Sequence, residues 1–109
     1  MSLSPNTLSE QLLLAVEMEK PTMEYINNLA EIDLLDLQQA LKDDTHKKAF
    51  WINVYNAFFQ LLRKVDKIEK SNIYRVKKIK IAHQHFSLDD IEHGILRKYR
   101  FKFSLGYVP

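Results

Sequence analysis

Polar side chains recur at helical spacing within an otherwise apolar stretch of the chain. If residues 45–65 form a helix, one stripe of that helix carries His46, Asn53, Asn56, Gln60 and Arg63, because successive residues are 100° apart. Asparagine is a poor helix former, so two of them inside one helix need a compensating use. Either the stripe is simply the wet face, or the two amides satisfy buried backbone groups or line a pocket. The sequence leaves these alternatives open.

A carboxylate falls on the apolar side of a second predicted helix. The apolar arc of that helix is defined by Ile91, Ile95, Leu96 and Tyr99, and Glu92 lies inside it. A buried carboxylate is costly unless it is paired. We therefore expect Glu92 to be mostly buried and hydrogen-bonded to Arg63, to the Trp51 indole, to a tyrosine hydroxyl or to the asparagines of the first helix.

The histidines offer weaker signals. His93 is one helical turn from Asp89 and Arg97, a spacing that favours a surface pair over proton transfer. His83 and His85 have the spacing of two metal ligands on a strand, but no third ligand is evident, and histidines near a turn are usually plain loop residues. The sequence therefore predicts neither a metal site nor a cofactor.

Composition narrows the class of protein. The length of 109 residues suits one domain, and 46% apolar with 28% charged residues argues against disorder. A net charge of only +2 provides little electrostatic attraction to nucleic acid, so no nucleic-acid partner is expected. The basic run at 75–80 alternates with Val76 and Ile79 as a half-buried strand would. The chain has no cysteine and only two glycines, which excludes a thiol nucleophile or a phosphate-binding glycine loop from its residues. No stretch is long enough to span a bilayer, and no signal peptide is visible, which leaves localisation open.

The elements that must position these residues follow from periodicity and caps. We expect a first helix over 8–20, a second over 23–30 capped by Thr22, and a third that begins after the cap Asp33. A fourth helix, over 45–65, is expected to be buried at the centre of the protein. A hairpin is expected near 73–86 with a turn at 83–84, then a helix opened by the S-x-x-D signal of Ser87 and Asp90, then a strand from 99. The predicted fold is α+β, mainly α, with about five helices around the central one in a single domain, 1–109.

Two strings resemble the paired signatures of the domain of unknown function 547 family. They are A-F-W-I-N-V-Y-N-A at 49–57 and F-S-L-D-D-I-E-H-G-I-L-R at 86–97, within a similarity that covers roughly 34–97. The resemblance implies no established activity. It places the following residues at family positions: Trp51, Asn53, Tyr55, Asn56, Ile91, Glu92, His93, Leu96 and Arg97.

The family pattern continues into a cysteine-bearing segment that this chain lacks. The resemblance therefore implies the N-terminal part of a longer domain, with an apolar face that its following segment or a partner chain covers. Our leading hypothesis is an uncharacterised globular domain with a small-molecule or peptide groove. The candidate polar network consists of Asn53, Asn56, Trp51, Glu92, His93 and Arg97. The alternative is a hydrolase or acyl-transfer enzyme of papain-like or transglutaminase-like plan, with its nucleophile beyond Pro109.

Overall fold

The computed structural model describes residues 3–96. The predicted strand from 99 and the candidate residue Arg97 lie outside this range. The described chain is α+β and mainly α, as predicted. Its elements, in chain order, are α1 (Pro5–Glu17), α2 (Met23–Glu31), α3 (Leu34–Ala40), α4 (Asp44–Lys64), β1 (Ile79–Ile81), β2 (Gln84–Phe86) and a π-helix (Asp90–Leu96).

Side-chain caps account for most helix starts. Ser4 Oγ accepts a hydrogen bond from the Thr7 N–H and Pro5 follows at the first helical position, so α1 begins three residues before the predicted Leu8. Asp33 caps α3 as predicted. Thr22 stands at the N-cap position of α2 but makes no side-chain cap bond.

The helix α4 forms the centre of the core. Six of its side chains are buried: Phe50, Trp51, Val54, Ala57, Phe58 and Leu62. The Trp51 ring meets Phe50 and the β2 residue Phe86 edge-on, with ring centroids 5.0 and 5.5 Å apart. Helix α1 packs on one side of α4 and the π-helix on another. The predicted buried central helix is confirmed, although its circumference also includes exposed positions such as Ile52.

The hairpin is shorter than predicted and is held by α2. It pairs Ile79 with Phe86, so residues 73–78 precede the strands, and its two-residue turn is Ala82–His83, one position earlier than expected. Both turn residues have positive φ, 52° and 67°, the pattern of a type I′ turn. Their N–H groups donate to the carbonyls of Leu29 and Ala30, which lie in the last turn of α2 and lack helical donors.

The predicted start of the last helix is confirmed, but its winding is not that of an α-helix. Ser87 Oγ accepts from the Asp90 N–H at 3.0 Å while Asp90 Oδ2 accepts from the Ser87 N–H at 2.9 Å, a reciprocal capping box. From Asp90 the segment winds as a π-helix, which is rare and often found at functional sites.

Candidate functional site

Asn53 is engaged with α1. Its Nδ2 donates to Ser9 Oγ at 3.3 Å, and the Ser9 hydroxyl donates to the backbone carbonyl of Asn6 at 2.8 Å. Ser9 is completely buried and Asn53 is half-buried. The amide therefore bonds to a buried side-chain hydroxyl and not to a backbone group, as one of the sequence alternatives had it.

The rest of the polar stripe is largely the wet face of α4. Asn56, His46 and Arg63 are exposed and Gln60 is half-buried. His46 Nδ1 lies 2.8 Å from an oxygen of Asp43, the residue that caps α4. The stripe therefore contains one half-buried amide with a buried partner rather than a continuous polar ladder.

The prediction that Glu92 is buried is wrong, whereas the prediction that it is hydrogen-bonded is confirmed. Its side chain is exposed, and Glu92 Oε1 accepts from the Tyr55 hydroxyl at 3.2 Å. A π-helix closes its hydrogen bonds over five residues, so each residue turns by less than the 100° used to place Glu92 on the apolar arc. Ile91 and Ile95 remain buried, and Glu92 falls at the edge of the contact with α4.

Asn53 and Glu92, two members of the candidate polar network, take part in separate hydrogen bonds. Asn53 and Tyr55 are two residues apart on α4 and so point to roughly opposite sides of the helix. The first contacts α1 and the second contacts the π-helix. Trp51 is fully buried, and its indole N–H has no hydrogen-bond partner within residues 3–96, so it does not donate to Glu92.

Three metal-ligating side chains converge at the start of the last helix. One ligand atom each from Asp89, Glu92 and His93 lies within 4.8 Å of the others. His93 Nε2 is 3.9 Å from Asp89 Oδ1, and both side chains are about half exposed, so the predicted surface pair is present at longer than hydrogen-bond distance. The sequence signal for this group is the spacing D-x-x-E-H at 89–93, whereas His83 and His85, the pair with metal-ligand spacing on a strand, are not part of it.

Tyr55 experiences the charge of this cluster. Partial burial, followed by the negative charge of Glu92 and the hydrogen bond to it, raises the pKa of Tyr55 to about 12. The phenol therefore stays protonated as a donor at neutral pH. It remains a hydrogen-bond donor to Glu92 rather than a base.

Asp90 is separated from the cluster by its own partners. Its Oδ2 accepts from Lys77 Nζ at 2.6 Å as well as from the Ser87 backbone. Partial burial works against ionisation, but the Lys77 ammonium and the Ser87 N–H hold the pKa of the Asp90 carboxyl below its usual range. Lys77, from the basic run, is thus used in a structural ion pair.

None of three clefts among the described residues is lined by the predicted site residues. A cleft of about 780 Å³ lies between the starts of α1 and α3 and one side of α2. One of about 400 Å³ lies beside Leu14, Met18 and Met23, and one of about 300 Å³ lies beside Gln60. The exposed side chains of Leu14, Met18 and Met23 form the apolar side of the second cleft.

A family model described as protein of unknown function, DUF547, matches residues 38–107, more than half of the chain. The chain belongs to the DUF547 family. The match contains Tyr55 and the whole Asp89, Glu92 and His93 cluster, and it extends ten residues beyond the similarity recognised from the two motifs, which ended at 97. The DUF547 domain is a protein region without an assigned biochemical activity.

No curated protein and no solved structure matches the chain. Among residues 3–96, no helix has both the length and the apolar character that crossing a bilayer requires.

Proposed function

We propose that this DUF547 chain binds a cationic ligand where Tyr55 of α4 meets Asp89, Glu92 and His93. One observation carries the proposal: the Tyr55 hydroxyl bonds to Glu92 Oε1 at 3.2 Å and so joins the two family motifs at an exposed position. Two carboxylates beside a phenol that stays protonated form a negatively charged, partly ordered surface. This proposal keeps the small-molecule or peptide ligand of the leading hypothesis and moves its site away from Asn53.

The cluster has charge available for a ligand. Asp90, the neighbouring carboxylate, is already neutralised by Lys77, whereas Tyr55 contributes no charge when it donates to Glu92. Among residues 3–96, no lysine or arginine forms an ion pair with Asp89 or Glu92. A primary amine or a basic peptide could therefore pair with both carboxylates without displacing such a partner. An exposed site of this kind is expected to bind weakly unless the ligand adds further contacts.

The enzyme alternative has less support in the geometry. The nucleophile and the general base of such an enzyme must come within about 2.6 to 3.2 Å of each other. In the described chain, His93 Nε2 lies 3.9 Å from Asp89, the carboxylate that could orient it. The chain also contains no cysteine to act as nucleophile. The hydrolase or acyl-transfer hypothesis stays a prediction that depends on residues after Pro109.

The binding proposal is tested by nuclear magnetic resonance on the 109-residue chain. Titration with Nα-acetyl-lysine amide, whose side-chain ammonium is free, and with a short oligolysine peptide should move backbone signals of residues 89–93 and of Tyr55, and E92Q or D89N should reduce these changes. D43N is the matched control, because Asp43 is an exposed carboxylate that also lies beside a histidine. Equal changes at all acidic surfaces, or changes confined to the cleft lined by Glu24, Asp33 and Asp36, would contradict the proposal.

A further inference from the structure

We infer that the cation taken by this site is a divalent transition-metal ion, with Asp89, Glu92 and His93 as its ligands and Zn²⁺ as the first candidate. The inference rests on the proposed function, since it names the class of ligand for the same surface. It differs from the sequence analysis, which expected no metal. Among residues 3–96, these are the three side chains grouped closely enough to share an ion.

The geometry needs only small adjustments to close around an ion. The three ligand atoms lie within 4.8 Å of one another, and around a tetrahedral ion with bonds of about 2.1 Å they would be roughly 3.4 Å apart. The required shifts are on the order of 1 Å, within the reach of side-chain torsions at exposed positions. All three ligands lie within five consecutive residues, 89–93, and the structure already brings their ligand atoms together.

The donor set favours a transition metal over Mg²⁺ or Ca²⁺. An imidazole nitrogen suits Zn²⁺ and its neighbours, whereas Mg²⁺ and Ca²⁺ prefer oxygen ligands alone. The two carboxylates supply charge, and the Tyr55 hydroxyl holds one oxygen of Glu92 from a separate helix, the type of outer contact that orients a metal ligand. Three protein ligands leave a fourth position open to water or to a bound molecule.

A second histidine pair on the same chain provides an internal comparison. His46, in the first turn of α4, lies only 2.8 Å from the capping residue Asp43, closer than His93 lies to Asp89, but within residues 3–96 no third ligand joins them. If a histidine beside a carboxylate were sufficient, Asp43 and His46 would bind zinc at least as well. The inference therefore requires that Glu92, as third ligand, makes zinc bind more tightly beside Asp89 and His93 than beside Asp43 and His46.

Isothermal titration calorimetry of the 109-residue chain with zinc chloride at neutral pH tests the inference. We expect one principal site, reversed by a chelator and not blocked by excess Mg²⁺. The variants H93Q, D89N and E92Q should each weaken binding by about 10-fold or more, and Y55F should weaken it by less. H46Q and the double variant H83Q/H85Q are matched controls and should bind as the unaltered chain does. All these side chains lie at least partly at the surface, and circular dichroism verifies that each variant is folded.

Three results would overturn the inference: no heat at millimolar zinc, unchanged affinity in H93Q, or loss of binding in H46Q or H83Q/H85Q. The amine titration separates this failure from failure of the proposed function. If zinc does not bind but Nα-acetyl-lysine amide still moves the signals of residues 89–93, the cationic-ligand site stands and its ligand is not a metal. If neither probe acts there, both proposals are wrong.

Discussion

The two sides of α4 handle polar groups in opposite ways. Toward α1, Asn53 bonds to a Ser9 hydroxyl that has no exposed surface and that already donates to a backbone carbonyl. Toward the π-helix, Tyr55 bonds to Glu92, whose side chain is exposed and lies beside His93. The hydrogen-bonding capacity of the buried Ser9 hydroxyl is used by Asn53 and by a backbone carbonyl. The Glu92 carboxylate, in contrast, is oriented by Tyr55 and is still open to solvent. Orientation together with exposure, and not polarity alone, marks the side of α4 where a ligand can be bound.

The largest effect is expected at Trp51, which is one turn before Tyr55 and supports the π-helix side through Phe86. W51A should lower the free energy of unfolding by about 3–5 kcal/mol, the usual cost of emptying a buried tryptophan site. W51F should cost about 1–2 kcal/mol, because much of the volume remains and the unpartnered indole N–H is removed. Urea unfolding followed by circular dichroism measures both. If W51F is as costly as W51A, the indole makes a stabilising contact that phenylalanine does not replace, and the indole N–H is not an unpartnered group in solution.

A smaller effect is expected on the α1 side, where Asn53 and Asn56 form a matched pair. Replacement of either by alanine gains helix propensity of about 0.5 kcal/mol. N53A also loses the bond to Ser9, so it should be about 1 kcal/mol less stable than N56A, whose side chain is exposed.

A double-mutant cycle between S9A and N53A should show a coupling of about 0.5–1 kcal/mol. Neither variant should change zinc binding. A coupling of zero, or a loss of zinc affinity in N53A, would break the contrast between the two sides.

Much of the fold was accessible from the sequence because the signals that specify it are local. The cap at Asp33, the capping box of Ser87 and Asp90, and the apolar pattern of α4 each fix an element through neighbours in the chain. The hairpin was placed too early because residues 73–78 have the alternation of a strand but pair with no strand in the described chain. Its turn geometry depends on carbonyls of α2, which are distant in sequence.

The site was only partly accessible. The sequence correctly singled out Glu92 as hydrogen-bonded and included a tyrosine hydroxyl among its partners, but a helical wheel at 100° per residue assumes α-helical winding. In the π-helix, Glu92 lies at the edge of the contact with α4, where its carboxylate is close to Asp89 and His93. Whether Asn53 and Glu92 belong to one network depends on which element lies on each side of α4, and that is a property of the tertiary packing.

The smallest expected effect is on the ionisation of Tyr55, which reports directly on its contact with Glu92 of the π-helix. Ultraviolet difference absorbance of tyrosinate should contain a component near the raised pKa of about 12, compared with about 10 for an unperturbed tyrosine. Because the folded state holds this proton more tightly, its contribution to stability is complete below about pH 10 and is lost as the pH rises toward about 12.

The component should disappear in Y55F, move downward in E92Q and stay in place in N53A. The shift in E92Q should be partial, because burial, the larger cause, remains when the charge is removed. If E92Q leaves the titration unchanged, Glu92 does not hold the phenol in solution. The two family motifs would then be joined only by apolar contacts, and the open side of α4 would have no oriented group to offer a ligand.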